Sequence, residues 1–140
     1  MAMGRTASGF ASALAVVVTF SAANGAYAHH SFAMFDNNNQ IKLKGKVSDF
    51  QWSNPHVYIE LDVPSAKEGE KPATWTVECA NPGILNRIGW KFNMIKPGDE
   101  ITIIVAPLRD GQTGALLKQV TLPDGRVFGN GGPAGPALIW

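Results

Sequence analysis

The stretch HVYIELDV, residues 56–63, alternates apolar and polar residues, and that rhythm constrains the fold more than any other feature. Side chains of a strand point to opposite faces in turn, so a period of two describes a β-strand with one buried face. Val57, Ile59, Leu61 and Val63 share the inward parity. The same period recurs in IKLKGKVSDFQW, residues 41–52, where Ile41, Leu43, Gly45 and Val47 share a face before Phe50 and Trp52 fall on the opposite parity. A slip of phase inside one long strand predicts a β-bulge or sharp bend near Gly45–Asp49. TWTVECA, residues 74–80, places Trp75, Val77 and Cys79 on one face, and PGDEITIIVAPL places Ile101, Ile103 and Val105 inward. ALLKQVTL, residues 115–122, supplies a fifth strand, and Pro123-Asp124-Gly125 turns the chain into a short sixth segment, RVF.

One stretch breaks the rhythm. Asn81-Pro82 offers an N-cap followed by proline at the first helical position, Ile84, Leu85 and Ile88 recur at helical spacing, and Gly89 is placed to stop the helix. Five strands, a long bent first strand and one short helix between the third and fourth predict an all-β chain with one short helix. That order matches a small OB-like five-stranded Greek-key barrel over residues 41–128. DNNNQ, residues 36–40, is a polar loop closing an N-terminal arm, 29–40, and the Gly/Pro-rich end, residues 129–140, reads as a flexible tail.

The first 28 residues stand apart. Arg5, an uncharged run from Phe10 to Ala23 and the small-x-small tripeptide Ala26-Tyr27-Ala28 describe a secretory signal peptide. The run is shorter than the ~20 apolar residues that cross a bilayer. Cleavage after Ala28 leaves 112 of the 140 residues, enough for one domain. It also takes Arg5 from the 12 basic side chains and leaves them equal in number to the 11 acidic ones. Zero net charge gives no support for nucleic acid as a partner. No cysteine stands at the cleavage point, so no membrane anchor is expected after cleavage. The lone cysteine, Cys79, excludes an internal disulfide framework. The expected destination is the bacterial periplasm or the exterior.

Cleavage after Ala28 makes His29 the first residue of the mature chain, at the head of HHSFAMFD. Its α-amine and imidazole then chelate one metal ion, and a second imidazole, from His30 or His56, completes the T-shaped arrangement called a histidine brace. Nitrogen-rich tetragonal sites suit Cu(II), and the thioether of Met34 is a further ligand that favours Cu(I). Cleavage after Ala26 instead puts histidine third, another copper-binding arrangement, but Asn24 is a poor residue three positions before that scission point. Parity places His56 outward with Tyr58 and Glu60, and Glu60 and Glu78 are candidates to orient a ligand from behind. Phe32, Met34 and Phe35 give the arm apolar material with which to dock. Trp52, Trp75 and Trp90 are expected in the core. Cys79 shares the parity of Trp75 and Val77 and is read as a small buried hydrophobe.

No paired-carboxylate motif, phosphate loop or Ser/His/acid set stands out, so no enzymatic role is expected, although an oxidative copper enzyme stays open. Two functions remain: a periplasmic copper-binding protein, or a metal-free module binding a small ligand or protein partner. The second would use the outer face of strands two and three, around His56, Tyr58, Glu60, Thr74, Thr76 and Glu78. AHHSFAMFD, GKVSDFQWSNPHVYIELDV and the later RIGW, PGDEITI and DG, in that order, resemble an uncharacterised family of short bacterial secreted proteins, a domain of unknown function. The resemblance covers nearly all of residues 28–128. It implies that His29, His30, Phe32, Asp36, Trp52, Asn54, Pro55 and His56 are signature positions, and it implies no activity.

Overall fold

Among the described residues six strands and one helix follow in the order β1 (Ile41–Gln51), β2 (Tyr58–Val63), β3 (Ala73–Glu78), α1 (Pro82–Arg87), β4 (Glu100–Pro107), β5 (Gly114–Thr121) and β6 (Val127–Gly129). The structure is a computed structural model and describes residues 32–131. The expected signal peptide, the histidine pair His29–His30 and most of the C-terminal tail, Trp140 included, lie outside the described residues. The strands form one sheet in the order β3-β2-β1-β4-β5-β6, and a further β3–β5 pairing closes the first five into a barrel. That closing pair is parallel, Thr76 opposite Gly114 through Glu78 opposite Leu116, and all other pairs are antiparallel. The result is an OB-like barrel with one extra strand.

Alternation builds the core as the sequence predicts. Val47, Val57, Ile59, Leu61, Val77, Ile101, Ile103 and Val105 are all buried around the barrel axis. Val63 and Trp75 depart from the expectation and are only half-buried, because their end of the β2–β3 hairpin opens onto the charged loop 64–72. Trp90 is fully buried, whereas Trp52 packs half-buried against the core, edge-on to Phe50 at 5.9 Å. The phase slip in β1 is a bulge at Ser48: Val47 faces Leu61 and Asp49 faces Glu60, which leaves Ser48 without a partner.

Gly45 shows why this strand can coil so tightly. A Cβ there would strike the Asp62 carbonyl oxygen on β2 and lie 3.0 Å from Leu61 Cγ. The obstacle is backbone, so it cannot swing away. Gly45→Ala should therefore destabilise the barrel by about 1–3 kcal/mol, the usual range for overpacking, read as a lower urea midpoint at unchanged m-value.

Helix α1 is fixed at both ends. Asn81 Oδ1 accepts a 2.9 Å bond from the Ile84 backbone N–H, and Pro82 begins the helix. At the far end Gly89 adopts φ +98°, the Gly89 N–H donates to Asn86 O and the Trp90 N–H donates to Leu85 O. This is a Schellman closure. It sends Trp90 into the core, where its Nε1 donates to Gly129 O at 3.0 Å and its ring meets Phe128 edge-on at 6.2 Å.

The N-terminal arm is docked. The Met34 carbonyl accepts from the Arg109 N–H, the Asp36 N–H donates to Pro107 O at 2.8 Å, and Arg109 Nη2 lies 3.6 Å from Asp36 Oδ1. Of the three apolar residues expected to seat the arm, Phe35 is buried against Ala106 and Leu116, while Phe32 and Met34 remain about half exposed.

Candidate functional site

His56 sits just before β2, where two backbone bonds carry the pairing past the strand's start. The Val57 N–H donates to Ala80 O, and the Cys79 N–H donates to Val57 O at 2.8 Å. The loop before it contains a cis Asn54–Pro55 peptide. Ser53 Oγ donates to the His56 carbonyl at 3.2 Å, which ties the histidine backbone to that loop. The His56 side chain is about a third exposed, with Nδ1 3.1 Å from the Cys79 carbonyl oxygen and 3.4 Å from Glu78 Oε1. Both neighbours can only accept. In the neutral ring the proton therefore belongs on Nδ1, and Nε2 keeps its lone pair. The ring of Tyr58 packs edge-on at 6.4 Å.

The outer face of β2 and β3 is a ladder of cross-strand polar pairs. Thr74 Oγ1 donates to Asp62 Oδ1 at 2.7 Å, Thr76 Oγ1 donates to Glu60 Oε2 at 3.0 Å, and Glu78 stands beside His56. Glu60 is thus engaged by Thr76, and Glu78 is the carboxylate placed to orient the histidine. Burial, reinforced by the Glu78 carboxylate and by Cys79, pushes the Tyr58 hydroxyl above its ordinary pKa. Cys79 is buried, and burial together with Glu78 pushes its thiol far above the usual range. It is a packing residue and not a reactive thiolate.

Beside His56 lies a cleft of about 550 Å³. It occupies the seam where β5 changes neighbour: β3 pairs with Gly114–Leu116, β6 pairs with Gln119–Thr121, and the residues between line the cleft. Phe32 of the arm and Ile84 of α1 contribute apolar surface. The polar side chains along it include His56, Glu78, Lys118 and Asn130, with Asn37, Gln40 and Asn81 also on the lining. Asn130 Oδ1 accepts the Ala80 N–H at 2.6 Å, which draws the chain after β6 across the end of β3. Lys118 is the extra residue of a second bulge, since Ile104 faces Gln119 and Val105 faces Leu117. Partial burial lowers its amine pKa below the ordinary value.

The sequence-derived candidates divide accordingly. The structure brings together His56, Tyr58 and Glu78, and it places Phe32 on the same cleft as His56. Met34 is exposed and does not line that cleft. His29 and His30 fall outside the described residues. Among the described residues no group of three or more His, Cys, Asp and Glu side chains converges to hold a metal ion. Lys118 and Asn130 escaped the sequence reading. Nothing local marks either one, because the bulge in KQV carries no glycine or proline and Asn130 belongs to a segment read as tail.

Arm, barrel and seam cleft define the class: a small OB-like β-barrel with an N-terminal arm docked on its wall. The chain belongs to DUF6152, a family of unknown function, whose model matches residues 16–118. No curated protein matches it. Among solved structures it is similar to the mitochondrial single-stranded DNA-binding protein Rim1 of S. cerevisiae, with 9% identity and a TM-score of 0.47. That match covers 61% of this chain and 93% of the other. It is also similar to part of TiaS, in a complex with a transfer RNA and ATP, at 13% identity and a TM-score of 0.44, over 63% of this chain and 19% of TiaS. Among the described residues no helix is long and apolar enough to cross a membrane.

Proposed function

We propose that this protein is an exported, periplasmic metal-binding protein that holds one copper ion through His29 and His56, with His30 assisting. The observation that carries this reading is the His56 ring. Its Nδ1 is committed to the Cys79 carbonyl at 3.1 Å, with Glu78 beside it, which leaves the Nε2 lone pair without a partner among the described residues. A histidine whose second nitrogen is tied to a carbonyl or carboxylate is the usual form of a metal-ligating imidazole. Phe32 supports the reading too, because it lines the cleft that His56 lines. Position 29 stands three residues before Phe32, a span of about 10 Å for extended chain.

Removal of residues 1–28 creates the amine that the chelate needs, so metal capture is coupled to export. An amine and two imidazoles give the nitrogen-rich set that suits Cu(II). The role is metal holding. The alternative outer-face module is less favoured, because Thr74, Asp62, Thr76 and Glu60 satisfy one another.

Native mass spectrometry of the protein recovered from the periplasm, with and without one equivalent of Cu(II), tests this directly. The expected apo mass starts at His29, and one copper ion survives buffer exchange. A chain starting at Tyr27 moves copper to a third-position histidine and removes the brace. A chain that retains no metal overturns the proposal.

A further inference from the structure

The seam cleft has features that the metal reading does not use. It is large enough for an organic molecule, since ligand sites commonly span ~300–1,000 Å³. Its apolar walls, Phe32, Ile84 and Leu116, lie on three separate elements. Lys118 supplies a cation, and the bulge in β5 accounts for its place there, since bulges re-aim a side chain beside functional sites. No carboxylate among the described residues stands within ion-pair distance of Lys118. The carboxylate in the cleft, Glu78, stands against His56. Among the described residues this partly buried ammonium has no counter-ion, and an incoming anion would supply one.

We infer that the cleft between β3 and β5 binds a small amphipathic monocarboxylate, with its carboxylate at Lys118 and its apolar body among Phe32, Ile84 and Leu116. Charge decides the class. One ammonium matches one negative charge, and Glu78 in the same cleft repels a second, which disfavours phosphates and dicarboxylates. No arginine fork lines the cleft to hold a phosphate bidentately. Asn130, its Oδ1 taken by the Ala80 N–H, keeps its amide donors for the ligand. Neither Lys118 nor Ile84 nor Leu116 is a proposed copper ligand, so the binding can be tested with no metal present.

Calorimetric titration of the full protein in EDTA with hexanoate and with its neutral isostere hexanamide tests this without any metal. Hexanoate should bind saturably with one site, and hexanamide at least about tenfold more weakly, since a charge-assisted bond is lost. Lys118→Met should bring the two probes within about twofold of each other, and Lys118→Arg should keep the preference. The wild-type comparison stands even if Lys118→Met fails to fold. Equal affinities in the wild type, or no saturable hexanoate binding, would overturn the proposal. So would a Lys118→Met protein that folds and still prefers hexanoate.

Discussion

Trp90→Ala is expected to lower the stability of the barrel by about 3–5 kcal/mol, the range for deleting a large buried aromatic side chain. Trp90 has no exposed surface, fills the core beneath α1 and meets Phe128 edge-on. Its Nε1 also satisfies Gly129 O, so the substitution removes a hydrogen bond that holds β6 to the rest of the barrel. Against a typical total of about 5–15 kcal/mol, that loss is a large fraction of the whole. Urea denaturation followed by intrinsic fluorescence and far-ultraviolet circular dichroism reads the loss. Trp90→Phe separates the two contributions. It keeps much of the apolar volume and loses the indole donor, so a smaller cost, about 1–2 kcal/mol, is expected. Two variants with equal midpoints would show that the indole, and not the volume, carries the effect.

His56→Ala should leave the fold standing and weaken Cu(II) binding by at least about 100-fold. Groups that merely orient a ligand already cost about 10–100-fold when removed, and His56 is the proposed ligand itself. Glu78→Gln belongs to that orienting class, because its carboxylate stands 3.4 Å from Nδ1, and a loss of about tenfold is expected. Competition against a chromophoric copper chelator measures both variants on one scale. An His56→Ala protein with wild-type copper affinity would remove His56 from the site. A large loss in His56→Ala with none in Glu78→Gln would assign the ring's orientation to the Cys79 carbonyl alone.

Period-two alternation made most of the barrel legible in advance. Val57, Ile59 and Leu61 announce their strand, the parity change between Val47 and Phe50 announces the Ser48 bulge, and Asn81-Pro82 announces the helix start. These are local signals, each written within a few residues. Val63 and Trp75 misled because parity gives a direction and not a depth, and a hairpin end runs out of neighbours. The candidate site was only half legible for a related reason. His56 and Glu78 belong to an alternating pattern, whereas Lys118 acquires its position from a bulge that the sequence does not punctuate. The cleft itself is assembled from the arm, the end of β3, α1, β5 and the chain after β6. No single window of sequence contains it.

The way the barrel closes also sets its folding time. The β1–β2 and β2–β3 hairpins join neighbours, but Ile41 must find Val105 and Thr76 must find Gly114 before the cylinder is complete. Pairings that distant incur loop-closure entropy before they return any contact energy. Barrels dominated by such pairings fold over about milliseconds to seconds, and not in microseconds. Until those pairings form, the outer edges of β1 and β3 stay unpaired, and the finished barrel covers them. The stage at which this chain is most open to mispairing is therefore the brief one before β5 arrives at the edge of β3.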